Sequence, residues 1–451
     1  MKAHLLAGAL LAVLCFASCG RNYYDVIPEK SPAIARISPS EMHENAPARR
    51  SGLSDLFPFS KGIDLSKDLY AFITPAGYYG MVMPVSDASV IDKSVAGGHD
   101  FHSVDHEDDI SFAMWGNNWC VAWDDDALIV LGPVVQTERA FIRRTIAAMF
   151  RSDGKVSDGE LFPMLDNRSP ISMVSRASTL PSVFKSLIAM QASASAVSDS
   201  TIVRSDISIK ENSVVCNSEL FSQDGADWNG QGCFLPLKTG VQKMNVPAGA
   251  VAVMHAGLNG KKLIGSMEQD RAYKPVLAAL NMDINVNKII GSINGDACIL
   301  FKGVPENGAI PVSIEAEAPD KSFINDVPQW MRDVNHNKKA SLVKENDGLY
   351  TLRTSKATFS FGFSPAGKLI TEYIPRPDSA QTFVPGFRGG AVDMRTERGA
   401  LCNIYVDCKS LAVTPFIKGL LSGKLSELLG AYSRLTYIST DSRKFRITLS
   451  R

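Results

Sequence analysis

The polarity pattern divides the chain into a short apolar start and a long body of brief periods. From Leu5 to Phe16 every residue is apolar or small, and no later stretch approaches the run of about 18 apolar residues expected of a membrane-crossing helix. Ala33 to Ile37 alternates as a strand, and Ser38-Pro39-Ser40-Glu41 then offers a capping box with proline at the first helical position, predicting a short helix that Pro47 ends. Leu69 to Ile73 and Tyr79 to Val85 read as paired strands around Pro75-Ala76-Gly77, and Asp87 to Val95 reads as a helix. Ile110 to Trp115 and Trp119 to Trp123 flank Gly116-Asn117-Asn118 as a hairpin, continued by Ala127 to Leu131. Thr137 is expected to cap an amphipathic helix running to Phe150. A strand from Pro170 to Val174, a helix from Pro181 to Gln191 and a long hairpin from Ile202 to Phe221 follow, with Ala192 to Ser200 read as a flexible connector. Strand, helix and hairpin recur, which predicts an α+β fold with mainly antiparallel sheets.

The pattern also repeats at long range. "IPEKSPAIARIS" from Ile27 is echoed by "VPAGAVAVMHA" from Val246, and Asp64 of "GIDLSKDLYAFI" by Asp283 of "NMDINVNKIIGSI", both separated by 219 positions. "WCVAWDDDALIVLG" from Trp119 meets "FSFGFSPAGKLITE" from Phe359 at a shift of 240. Two related halves are therefore expected, 31–240 and 241–451, each built of strand-helix-hairpin units. The copies are unequal: where the first has the helix ending at Phe150, the second has the proline-rich "PRPDSAQTFVPGFRGG".

The apolar start follows Lys2 and is too short to cross roughly 30 Å of hydrocarbon, so it has the layout of a secretory signal. It closes on "FASC", where small residues precede Cys19, and this resembles the lipobox of bacterial lipoproteins; Phe16 stands where leucine is usual. The resemblance implies a signal peptide over 1–18, removed before Cys19 whose thiol takes a diacylglycerol, and a lipidated tether over 19–30. At about 0.8 kcal/mol per buried CH₂, several acyl chains would hold the protein on a membrane. A tether of about a dozen residues reaches at most about 40 Å.

Charge narrows the range of partners. With 47 basic and 47 acidic residues, 45% hydrophobic and 21% charged, the chain has no electrostatic footprint for nucleic acid. Its eight cysteines form no CxxC pair and no even framework, so free buried thiols are expected.

Several stretches invite chemistry. "HDFHSVDHEDD" gathers His99, His102 and His106 with four acids, ligand types that a divalent metal accepts, but the spacing fits no HExxH helix, and a solvated loop is the expectation. "FGFSPAGKL" has Leu369 where a phosphate loop needs Ser or Thr, and reads as a hairpin turn. "DGADWNG" lacks the acids of a calcium loop. Trp115 and Trp119 are expected as a cross-strand pair or as a platform for a ligand; Trp228, in its glycine-rich loop, is the expected exposed aromatic and ligand contact. No GxSxG elbow and no cysteine near a histidine in sequence marks a nucleophile, so no catalytic residue and no cofactor is assigned.

Tyr23, Tyr24, Ile27 and Pro28 after the lipobox, then Gly62-Ile63-Asp64-Leu65 before paired strands, resemble the uncharacterised lipoproteins of Bacteroidota grouped as a domain of unknown function. The resemblance implies an envelope location and brings no reaction. The expectation is a lipid-anchored envelope protein, on the periplasmic face of the outer membrane, acting as a non-catalytic binding or scaffolding component for a glycan or another envelope protein. The alternative is an envelope hydrolase of glycan or peptide, metal-assisted through the histidine loop.

Overall fold

A computed structural model describes residues 22–45, 57–102, 104–238, 242–246, 250–269, 274, 277–278, 281, 283–302, 311–336, 340–345, 348–375, 390–394, 399–409 and 430–451. They belong to two compact units, Met1–Val174 and Ser175–Arg451, each of antiparallel sheet with helices. The division lies at Val174, upstream of the 240/241 boundary expected from the repeat. The hairpin expected to close the first half instead pairs with the terminal strand of the second unit. Among the described residues no helix is long and apolar enough to cross a membrane.

Unit 1 contains β1 (Ala33–Ile37), α1 (Pro39–Asn45), β2 (Leu69–Ile73), β3 (Tyr79–Pro84), α2 (Ala88–Ala96), β4 (Asp105–Glu107), β5 (Ile110–Trp115), β6 (Trp119–Trp123), β7 (Ala127–Gly132) and α3 (Arg139–Phe150); β8 (Ile171–Arg176) carries the division. Strands pair in the order β1-β2-β3-β7-β6-β5-β4. One face packs Leu69, Met83, Val121, Trp123 and Val130 against Ile91 and Val95 of α2, whose N-cap Asp87 accepts the Ser89 N–H. The opposite face carries α3 against β6 and β7, with Ile142 and Ile146 buried. That helix begins one residue later than expected. Thr137 lies inside a 3-10 turn, Gln136–Glu138, and Glu138 takes the cap position without a side-chain bond.

The segment expected as a tether is folded from Asn22 onward. Tyr23–Val26 forms a 3-10 turn, the Tyr23 hydroxyl donates to the Asp68 carbonyl at 2.7 Å, and Val26 and Ile27 are buried. Two residues, Gly20 and Arg21, separate Asn22 from Cys19, a reach of at most about 10 Å rather than about 40 Å.

Unit 2 contains α4 (Ser182–Gln191), β9 (Thr201–Ile209), β10 (Ser213–Ser222), β11 (Phe234–Leu235), β12 (Gln242–Val246), β13 (Ala252–Asn259), α5 (Gly260–Gln269), α6 (Val286–Gly291), β14 (Asn294–Phe301), β15 (Val312–Ala316), α7 (Val327–His336), β16 (Ser341–Lys344), β17 (Tyr350–Arg353), β18 (Ala357–Phe363), β19 (Leu369–Pro375), β20 (Gly390–Met394), β21 (Cys402–Asp407), β22 (Arg434–Ser439) and β23 (Lys444–Ser450). One run of the sheet reads β13-β14-β15-β19-β18-β17-β16. From the other side of β13 it continues β21-β22-β23-β10-β9. Met254, Ala256, Ala297, Phe361 and Leu369 on one face meet Ile289 of α6 and Val327 and Val334 of α7 in a shared core. The supposed connector 192–200 is part of this unit's packing: Ala192 and Ala196 are fully buried and Ser193 caps a 3-10 turn.

Candidate functional site

The residues singled out by sequence divide sharply. Cys19 lies outside the described residues. Trp115 and Trp119 face each other across the β5–β6 hairpin, as the tight turn with Gly116 at φ 58° requires. Both are partly buried against the core shared with α2; Trp115 lies 6.0 Å from Phe59 and 6.4 Å from Phe101, ring to ring. Trp228 is not exposed. It is 1% accessible, packed with Leu220, Tyr437 and Phe445, and its indole N–H has no partner. The glycine-rich loop looked open in sequence because the residues that cover it come from strands about 200 positions later.

The histidines go to separate partners. His102 lies 3.4 Å from the Asn117 side-chain oxygen, His106 3.0 Å from the Ser111 hydroxyl, and His99 is exposed. The neighbouring acids are taken by α3: Arg143 bonds Asp105 at 2.7 Å, and Arg151 bonds Asp108 at 2.6 Å. Among the described residues no group of three His, Cys, Asp or Glu side chains is arranged to hold a metal. The acidic run thus serves to fasten a turn to a helix, each exposed pair contributing about 0–1 kcal/mol.

The site the sequence did not single out lies in unit 2. Residues paired across an antiparallel sheet point to one face, and four strand pairings place Asn403, His255, Cys298, Glu315 and Ile370 in a single transverse row. The row two residues along reads Tyr405, Val253, Leu300, Ser313 and Glu372, by the same registers. A cavity of ≈ 350 Å³ opens on this face, lined by His255, Cys298 and Glu315, by Leu300 and Ile370, and by Asp296 and Lys368 at one side. Its volume is at the small end of ligand sites.

Lys368 owes its position to local sequence. In the turn Ser364-Pro365-Ala366-Gly367, Gly367 adopts φ 77°, which a side chain would oppose. The Ser364 hydroxyl accepts the Lys368 N–H at 3.2 Å. The turn expected in place of a phosphate loop is present, and it delivers Lys368 to Glu315 at 3.0 Å. Asp296 accepts the Lys238 backbone N–H at 3.1 Å, and Lys238 pairs with Glu317 at 2.6 Å.

His255 is the unusual member. Its side chain is buried, at 1% accessibility, and Nδ1 has no hydrogen-bond partner. Burial lowers its pKa from 6.5, opposed by Asp296 and reinforced by Lys368, so the ring is neutral at pH 7. The Oδ1 of Asn403, beside it in the row, is also buried without a partner. Cys298 is held as a thiol, its pKa pushed up to about 12 by burial and by Glu315. The site therefore offers a zwitterionic rim, an aliphatic wall and a neutral imidazole. Among the described residues no cysteine is in a disulfide; Cys120, Cys233, Cys402 and Cys408 are buried, and Cys216 and Cys298 partly so.

These features define an α+β protein with a cavity on one face of a mainly antiparallel sheet. The chain belongs to the family described as a domain of unknown function, DUF4836, whose model matches residues 57–371. The matched stretch includes His255, Cys298, Glu315 and Lys368 and ends before Asn403. Solved structures of TP0453 in crystal forms I and III are similar at 8% and 9% identity, covering 46% of this chain and 81% and 83% of theirs, with TM-scores of 0.32 and 0.33. Similarity at that level carries no argument about function. No curated protein matches the chain.

Proposed function

We propose that this is a lipid-anchored protein of the bacterial outer membrane, facing the periplasm, that binds a small polar molecule without transforming it. The observation that carries the binding role is that His255, a buried residue whose Nδ1 has no partner, is among the residues lining a ≈ 350 Å³ cavity. An unsatisfied buried polar atom costs about 1–3 kcal/mol, which a bound hydrogen-bonding group would recover. Binding is favoured over nucleophilic catalysis because the only thiol in the lining is held protonated. The anchor rests on the apolar leader and Cys19, and the short reach from Asn22 would keep unit 1 against the bilayer surface.

The same reading includes an internal duplication. The run β13-β14-β15-β19-β18-β17-β16 repeats the order β1-β2-β3-β7-β6-β5-β4; in chain order, helix follows the first strand of each (α1 in one, α5 and α6 in the other) and a helix lies between the third and fourth (α2 and α7). Agreement of pairing order with the 219-residue sequence echo supports two copies of one fold.

Two measurements test the proposal. Mass spectrometry of the protein from its host is expected to find acylated Cys19 at the amino terminus; a retained leader or an unmodified Cys19 contradicts the anchor. A thermal-shift screen of small polar metabolites is expected to find one that raises Tm in the wild type and fails in Ile370→Trp, which fills the cavity. A stabiliser that is hydrolysed on incubation would contradict the non-catalytic part.

A further inference from the structure

The arrangement of charges around the cavity bears on what kind of molecule fits it. Lys368 and Glu315 form a pair at the rim, with side-chain accessibilities of 46% and 55%, so a ligand can reach both without unfolding anything. An exposed pair of this kind contributes only about 0–1 kcal/mol, so exchanging it for another set of ion pairs is cheap. Toward His255 the lining turns to Leu300 and the neutral Cys298 thiol, with Ile370 on the other side of Glu315. His255 stands two strands from Glu315 in the row, so about 10 Å separates their Cα atoms. From Glu315 the row leads through Cys298, beside Leu300, to His255, while Asp296 adds a second carboxylate to the lining.

We infer that the cavity takes an α-amino acid zwitterion: the ligand carboxylate meets Lys368, its ammonium meets Glu315, and its side chain passes Cys298 and Leu300 toward His255, whose Nδ1 it hydrogen-bonds. This rests on the cavity being a binding site, as proposed above, and names the class of molecule for it. A purely cationic ligand would leave Lys368 facing a like charge, and a purely anionic one would leave Glu315 so. A zwitterion sets each ligand charge against an opposite one, its ammonium lying on the side of the lining that carries the two carboxylates, Glu315 and Asp296. Side chains that end in a hydrogen-bonding group, such as that of glutamine, suit the far end because they satisfy the buried ring nitrogen; purely aliphatic ones leave it unpaired and bind more weakly. Discrimination of this kind, set by a buried polar atom left with or without a partner, is steeper than that set by an added methylene.

The test is isothermal titration of the full chain with each of the common L-amino acids singly, and with the N-acetyl amide of any that binds. At least one amino acid with a polar side chain is expected to bind at one site, and its N-acetyl amide, which lacks both charges, to bind at least tenfold more weakly. Glu315→Gln and Lys368→Met, both with exposed side chains, are each expected to weaken binding about tenfold or more. His255→Leu is expected to remove the preference for glutamine over leucine. Failure of every amino acid to bind, equal binding of the blocked form, or unchanged affinity in both rim variants would overturn the inference. If an uncharged molecule such as a monosaccharide binds instead and Ile370→Trp abolishes it, the zwitterion fails while the cavity stands. If an amino acid binds but Ile370→Trp leaves its affinity unchanged, the cavity itself is wrong.

Discussion

Arg36 in β1 and His255 in β13 sit 219 positions apart, each a buried polar residue in an otherwise apolar strand, and each strand begins a run of the same pairing order. Their surroundings differ completely. Arg36 donates to Asp68 at 2.7 Å and Glu41 at 3.3 Å, and to the carbonyls of Ser169 at 3.1 Å and Asp166 at 3.3 Å. Every direction of its guanidinium is met by protein, so the group joins strand, helix and loop into one body. His255 has an unpaired ring nitrogen and a neighbouring amide oxygen in the same condition, and the residue is among those lining a cavity. Gly260 stands 219 positions after Glu41, so the helix after β13 brings no acid to the second site. A saturated buried charge is scaffold; an unsaturated neutral group beside open space is a place for something else to bind.

That contrast can be broken most forcefully at Arg36. Arg36→Met removes a guanidinium whose carboxylate partners then stay partly buried and unpaired, and urea unfolding is expected to show a loss of about 3 kcal/mol. A loss under about 1 kcal/mol would mean the network is ornamental. The matching change in unit 2 is expected to have the opposite sign. His255→Leu replaces an orphaned polar group with apolar surface, and the same measurement should show stability unchanged or raised by about 1 kcal/mol in the absence of ligand. A loss as large as that at Arg36 would show that the imidazole has a structural partner.

A smaller effect follows from protonation. The pKa of His255 is lowered in the folded state, so between that value and about 6.5 the unfolded chain binds a proton that the folded chain refuses. Its contribution is complete above about pH 6.5 and is lost as pH falls below it. Asp296, Lys368, Cys298 and Glu315 face the same cavity, so the contribution of the histidine is isolated by comparing the pH dependence of unfolding in wild type and His255→Leu. The fall below pH 6.5 should be shallower in the variant; identical slopes would contradict the assignment. The smallest expected effect is at the histidine loop of unit 1. His99→Ala and His102→Ala should each change stability by less than about 0.5 kcal/mol, and zinc should shift Tm no differently in these variants than in the wild type. A zinc-dependent Tm rise confined to the wild type would restore a metal role there.

How far the sequence discloses these features depends on whether the deciding contacts are local. The β5–β6 hairpin is legible because alternation and a Gly-Asn-Asn turn lie within one short stretch, and the turn before Lys368 is legible for the same reason. Trp228 is misread because its composition is that of an open loop, while its burial depends on Tyr437 and Phe445, which only strand pairing brings there. The connector over 192–200 is misread likewise: its small residues suit flexibility in isolation and close packing when something covers them. His255 lies inside the echoed segment "VAVMHA" and passes as one polar residue in an apolar strand. The local clue was its alignment with Arg36, a second buried polar residue at the same place. The row from Asn403 to Ile370 spans 149 positions of sequence, and no spacing rule anticipates it.

The ring of His255 is where the account is most directly open to test. Long-range proton–nitrogen NMR of the histidine side chains, titrated with and without an amino acid that binds, reports both the protonation of that ring and any hydrogen bond at Nδ1. The account predicts that His255 titrates below pH 6.5 in the free protein and that its Nδ1 resonance moves on binding. Titration at or above 6.5 in the free protein, with no change at Nδ1 when ligand binds, would contradict it.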